Sequence, residues 1–190
     1  LAGKVAEAAG MITDGWNGFN VLHTAAARVG GLDIGFVPQA GGKDTAAILA
    51  GAQSGEISVV LLAGADEIDM TGLGDAFVVY LGTHGDAGAH RADVVLPTAA
   101  YTEKSATYVN TEGRVQRTRL AIFPPGEAKE DWKVIRALAD ALGKPLAFDT
   151  VKQLRERMVA SNPLFAAEGR LTAAPWAACG AEGPLSDKPL

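Results

Sequence analysis

Four side chains are the first candidates for chemistry in this sequence: Asp66, Glu67, His84 and Asp86. Each sits just after an apolar run. Asp66 and Glu67 follow Val59-Val-Leu-Leu-Ala-Gly-Ala, and His84 and Asp86 follow Phe77-Val-Val-Tyr-Leu-Gly-Thr. If the runs are parallel strands, these residues lie at the carboxyl edge, where open α/β sheets hold ligands. A His and an Asp can orient one another for proton transfer, and His84, Asp86 and His90 together could hold a metal ion. No nucleophile or third member accompanies them, so hydrogen bonds that fix a loop are the simpler account. Asp66, Glu67 and Asp69 could bind a hard cation. A solvated first turn with Asp66 as a helix cap needs fewer assumptions. Three carboxylates there would repel a phosphate. We therefore expect no catalytic and no metal-ligating residue, and hold Asp66, Glu67, His84 and Asp86 as candidates for a vestigial strand-end site.

Other motifs resolve into structure. Gly72-Leu-Gly-Asp-Ala-Phe lacks the third glycine of a dinucleotide fingerprint and precedes a strand instead of following one. Gly42-Lys43-Asp44 resembles the end of a phosphate loop, but the hydroxyl residue after Lys43 is missing, and Asp44 reads as a helix cap. His23 falls on the apolar side of an expected helix over 19–29 and reads as a satisfied core residue. The single cysteine, Cys179, cannot by itself form an internal disulfide, a cluster site or a thiolate zinc site. The polar stretch 101–116 either reads a polar ligand or ties a loop to a neighbour, and its spacing leaves both open.

The elements that must position these residues follow from composition and pattern. The chain has 190 residues, 48% hydrophobic and 21% charged, with a net charge of -5. That excludes disorder and offers no basic field for nucleic acid. No apolar run approaches the ~18 residues of a membrane helix, so direct membrane insertion is not expected. Continuous apolar runs at 57–63, 76–81 and 92–96, each closed by Gly or Pro, predict parallel strands covered on both faces. The connections are short, about ten residues each, and imply compressed crossovers. A short strand is expected at 34–37. Thr111-Glu112-Gly113 predicts a tight turn between two strands, with Gly113 at positive φ. Trp132, Ile135, Ala139 and Leu142 space as the apolar stripe of a helix, and Trp132, Ile135 and Leu142 are expected to be buried against the sheet. Thr150 and Gln153 make a capping box for a last helix, with Val151, Leu154 and Met158 as its buried face. The fold class expected is α/β: a Rossmann-like three-layer domain with a short, mainly parallel sheet, a hairpin-containing segment and flanking helices.

Ala92-Asp-Val-Val-Leu-Pro and the block Thr98-Ala-Ala-Tyr-Thr-Glu-Lys-Ser-Ala-Thr-Tyr-Val-Asn-Thr-Glu-Gly-Arg resemble the molybdopterin oxidoreductase superfamily. More narrowly they resemble the large iron–sulfur subunits of respiratory complex I, the NADH:quinone oxidoreductase. Trp16-Asn-Gly-Phe-Asn-Val-Leu-His, His84-Gly-Asp-Ala-Gly-Ala and Glu130-Asp-Trp-Lys-Val-Ile-Arg-Ala-Leu agree, so the resemblance runs from about residue 16 to residue 158. It implies a fragment from the C-terminal part of such a subunit. Residues 1–163 would be an α/β domain fragment lacking its N-terminal part, and 164–190 an extended C-terminal tail. The resemblance places 4Fe–4S and 2Fe–2S clusters in the missing N-terminal part and no cofactor in this fragment. Molybdenum relatives often carry Asn-Pro after the first of these strands, where this chain has Asp66-Glu67.

The expected role is a structural domain without its own redox centre, inside an enzyme that moves electrons from NADH to quinone and translocates protons. Its partners would be the cluster-bearing part of the same chain and other subunits of the complex. It would sit in the peripheral arm, on the cytoplasmic side of a bacterial inner membrane or the matrix side of a mitochondrial one. The alternatives are a fragment that contacts a molybdopterin directly and a free nucleotide-binding module.

Overall fold

The computed structural model describes residues 1–13 and 16–170. Ala2–Ala8 forms helix α1, and the two-residue strands β1 (Ile12–Thr13) and β2 (Trp16–Asn17) pair antiparallel. The helix expected over 19–29 is not formed. Only Arg28–Asp33 (α2) is helical. A lone amphipathic stripe gains helical stability mainly by packing, and here Leu22 is 86% exposed and His23 is exposed too. His23 is therefore not a core residue. The strand expected at 34–37 is also absent, because Ile34 closes α2 and Gly35 turns the chain at φ +76°.

The next segment builds the sheet. Asp44 accepts a hydrogen bond from the Ala47 N–H at 2.8 Å and starts α3 (Thr45–Ser54), which Gly55 ends at φ +78°. Lys43 pairs with Glu56 at 3.1 Å, so the motif Gly42-Lys43-Asp44 is a capped helix entry. Then follow β3 (Val59–Ala63), a 3-10 turn (Met70–Leu73), β4 (Phe77–Gly82), α4 (Ala87–Arg91) and β5 (Val94–Pro97). The three strands are parallel in the order β3-β4-β5. Val60, Leu62, Val78 and Tyr80 pack on Ala52 of α3, Leu73 of the 3-10 turn and Ala76, with Ala89 of α4 against them.

The opposite face differs from expectation. Val59, Leu61 and Phe77 are 60%, 43% and 48% exposed. Helices cover one face only, and the third layer is not among the described residues. Handedness explains this: successive right-handed crossovers that step in one direction all fall on the same face.

Beyond β5, Thr98 and Ala99 are buried, and a bridge between Thr98 and Lys129 anchors the later helices to the sheet. Strands β6 (Thr107–Val109) and β7 (Val115–Arg117) form an antiparallel hairpin with Gly113 at φ +84°, as the turn chemistry predicts. Helix α5 (Asp131–Ala141) exposes much of its apolar stripe: Trp132 is half-buried, Ile135 38% exposed and Leu142 68% exposed. The expected burial against the sheet is not made. Helix α6 (Val151–Ser161) has the full Thr150/Gln153 capping box, and Val151, Leu154 and Met158 are half-buried.

Pro163–Ala166 forms a second 3-10 turn, started by Asn162, whose side chain accepts from the Leu164 N–H at 3.0 Å. Phe165 is 3% exposed and completes a small core with Val109 and Val115 of the hairpin. Its large apolar area outweighs the Gly/Ala/Pro-rich composition around it. Residues 171–190, including Cys179, lie outside the described residues.

Candidate functional site

Of the residues singled out at the strand ends, Asp66 meets a side chain that the sequence did not single out, Tyr80. Its ring points from the middle of β4 into the covered core, and it is 2% exposed. A buried tyrosine needs a partner for its hydroxyl. That partner is Asp66, whose Oδ2 accepts from the Tyr80 hydroxyl at 2.6 Å. The other oxygen, Oδ1, accepts from the Gly88 N–H at 2.7 Å. Gly88 lies in the first turn of α4, whose opening N–H groups have no partner within the helix. Asp66 therefore caps the helix of the next crossover, not a helix directly after its own strand.

Two glycines make room for this arrangement. A Cβ on Gly82 would lie 2.2 Å from the Tyr80 ring, and one on Gly88 would lie 2.6 Å from both Asp66 Oδ1 and the ring. The signal was present in the sequence as a tyrosine inside an apolar run with glycine two residues on, in Tyr80-Leu-Gly82. The Tyr80 hydroxyl is pushed up to about 12, first by burial and then by its bond to Asp66 and the charges of Asp66 and Asp86. It is a fixed donor near neutral pH, not an acid or base.

The remaining candidates are dispersed. Asp69 caps the 3-10 turn, accepting from the Thr71 N–H at 3.0 Å and the Thr71 hydroxyl at 2.7 Å. These bonds hold its carboxyl below the usual carboxylate range. Asp86 stands at the N-cap of α4 without a side-chain cap bond. The His84 Nδ1 lies 2.8 Å from its neighbour's hydroxyl, Thr83 Oγ1. Glu67, His84, Asp86 and His90 are exposed. Among the described residues no group of three or more His, Cys, Asp or Glu side chains is arranged to hold a metal ion.

The polar stretch after β5 ties loops together. Glu103 accepts from the Ala100 N–H, Lys104 pairs with Asp131, and the Ser105 hydroxyl donates to the Thr118 carbonyl while Arg155 donates to Ser105. Asn110 Oδ1 accepts from the N–H groups of Glu112 and Arg114, and Arg114 reaches the Gly169 carbonyl at 2.9 Å. Of the two readings the sequence left open, the side chains follow the second.

A family model described as molybdopterin oxidoreductase matches residues 1–141. The chain belongs to the molybdopterin oxidoreductase family. It is 51% identical over 158 residues to the mitochondrial NADH-ubiquinone oxidoreductase 78 kDa subunit of Neurospora crassa, covering 82% of this chain and 20% of that protein. It is 47% identical over 151 residues to the NADH-ubiquinone oxidoreductase 75 kDa subunit of Reclinomonas americana, covering 80% and 21%. It is 38% identical over 190 residues to an NADH-quinone oxidoreductase subunit of Rickettsia bellii, covering 100% and 26%. The chain thus spans about a fifth to a quarter of the length of these relatives.

The family name raises the question of a pterin cofactor at the strand end of this molybdopterin oxidoreductase domain. The residues present do not fit one. The Gly88 N–H that would face an incoming phosphate already donates to Asp66. At ~4–6 Å and an effective dielectric near 20, a carboxylate opposes a phosphate charge by a few kcal/mol before screening. The ~0.3–1 kcal/mol of a helix dipole does not offset that.

Proposed function

We propose that this chain is a scaffold segment of the large iron–sulfur subunit of an NADH:quinone oxidoreductase and has no redox centre of its own. The whole polypeptide would carry electrons from NADH through iron–sulfur clusters in its other regions toward quinone, within a proton-translocating complex. This segment would supply packing surfaces to the cluster-bearing part of the same chain and to neighbouring subunits. The single observation that carries the reading is Asp66: both its oxygens are spent on Tyr80 and Gly88, so the chain's own carboxylate stands where a ligand phosphate would. The names and identities of the relatives supply the rest. No helix among the described residues is long and apolar enough to cross a membrane, which suits a place in a peripheral arm. Asp66, Glu67, His84 and Asp86 would then be remnants of a strand-end site, with no catalytic or metal-binding duty.

The family match over residues 1–141 favours one competing reading, a fragment that contacts a molybdopterin directly. Metal analysis and cofactor extraction on the full-length polypeptide separate the two. The scaffold reading expects iron without stoichiometric molybdenum or pterin. One pterin per chain would establish the competing reading.

A further inference from the structure

A groove of about 310 Å³ lies between β6, the start of α5 and one face of α6. Ala106, Trp132, Val151, Leu154 and Met158 make it apolar, and the last four are only half-buried. The charged side chains beside it already have partners in the chain. Lys104 pairs with Asp131, Glu130 accepts from the Trp132 indole N–H at 3.1 Å, and Arg155 donates to the Ser105 hydroxyl at 2.9 Å. The group that suits such a groove is therefore uncharged and apolar.

The chain is led to this place by its own hairpin. The Gly169 N–H donates to the Val115 carbonyl at 2.7 Å, Arg114 donates to the Gly169 carbonyl at 2.9 Å, and Arg117 pairs with Glu168 at 2.9 Å. Val115 stands opposite Val109, two residues from Thr107 in the wall of the groove. Strand spacings of ~5 Å and a rise of ~3.3 Å per residue put that wall roughly 12 Å from Gly169. The six residues Leu171–Trp176 reach about 20 Å when extended. Met158 links the two places, because it lines the groove and also packs on the small core that Phe165 completes. Residues 171–181, Leu-Thr-Ala-Ala-Pro-Trp-Ala-Ala-Cys-Gly-Ala, carry no charge, and Trp176 is their one aromatic. We propose that Trp176 fills the groove, so that the segment after Arg170 covers the hairpin core from within the same chain. A tryptophan brings ~150–250 Å² of surface to such a contact. A tether of a few residues presents it at about millimolar effective concentration, an advantage that a separate partner lacks. The match to the Rickettsia bellii subunit runs over all 190 residues and so includes a counterpart of this segment. The inference goes beyond the functional reading and stands whether or not the strand end holds a cofactor.

Hydroxyl-radical footprinting with peptide mass spectrometry tests it on the full-length polypeptide, purified without other subunits, and on its Trp176→Ser variant. Each oxidation rate is referred to the same polypeptide in denaturant, with Tyr80 as a buried standard. In the parent, Trp176 should be protected about tenfold, as expected for an apolar side chain removed from water. Trp176→Ser should raise the oxidation of Trp132 and Met158 about threefold, because the groove then opens to solvent, and leave Tyr80 unchanged. Oxidation of Trp176 in the parent at the denatured rate would overturn the proposal, as would unchanged Trp132 and Met158 in the variant. Loss of Tyr80 protection in the variant would mean that Trp176 supports the sheet instead of the groove. Exposure of Trp132 and Met158 in the parent that only added subunits remove would assign the groove to a foreign partner. Either outcome contradicts the proposal.

Discussion

The two faces of the parallel sheet carry equally apolar side chains and meet different fates. On one face Val60, Leu62, Val78 and Tyr80 are 7%, 4%, 0% and 2% exposed, with Val95 of the edge strand β5 at 48%; on the other Val59, Leu61 and Phe77 are 60%, 43% and 48% exposed, and only Leu81, near the end of the central strand, is buried at 1%. The alternation within single strands shows that composition decides which residues can be buried, whereas topology decides which are. All the connecting segments lie on one face, and the finished face also holds the polar network of Asp66, Tyr80 and Gly88. The network depends on that completion, because a buried hydroxyl requires a partner held in a fixed geometry.

Truncating one leucine on each side should give the widest contrast between the faces. Leu73→Ala empties a fully buried site and should cost about 2–5 kcal/mol in the 190-residue chain. Leu61→Ala on the open face should cost about 1 kcal/mol or less. Urea titrations of both variants check this, and similar losses would mean that the open face is covered within this chain.

A smaller effect is expected at Tyr80. Tyr80→Phe leaves Asp66 Oδ2 without its donor and should destabilise by about 1–3 kcal/mol. The pH dependence carries a further signature. The hydroxyl ionises near 10 when unfolded and at about 12 when folded. The folded state therefore holds its proton more tightly. That part of the stability is complete below pH 10 and is lost as pH rises toward 12. Thermal melts between pH 9 and pH 11.5 should fall more steeply for the parent chain than for Tyr80→Phe. Parallel curves would remove Tyr80 from the account.

The mildest change lies in a region away from both faces. Gly113 turns the β6–β7 hairpin at φ +84° with open space where a Cβ would go. Gly113→Ala should therefore cost only the backbone penalty, about 1 kcal/mol. An unchanged melting temperature would contradict the turn's role in holding the hairpin.

Local signals carried much of this molecule. The three strands, the caps at Asp44 and Thr150 and the turn at Gly113 are written in short stretches, and each forms where its stretch predicts. What failed depended on surfaces the stretch does not contain. The stripes over 19–29 and on α5 have helical spacing, but Leu22 and Leu142 stay 86% and 68% exposed. Continuous apolar strands announce cover on both faces without saying where the second cover comes from. At the candidate site the acidic residues after β3 were legible, but Asp66's partners were not. Tyr80 lies 14 positions on and Gly88 22 positions on, and only the parallel register brings them to the same strand end. Phe165 is a similar case, an aromatic in an Ala/Gly-rich stretch whose docking on the hairpin has no local signature.

If Asp66 closes the strand end, no phosphate-bearing ligand should bind there. Calorimetric titration of the chain with a pterin guanine dinucleotide, NADH and GTP measures this. Each is run with and without magnesium, because a cation bridge could offset the carboxylate charge. No saturable heat is expected with any of them. Saturable binding with Kd below about 10 μM, worth roughly 7 kcal/mol, would contradict the closure and make the strand end a working cofactor site.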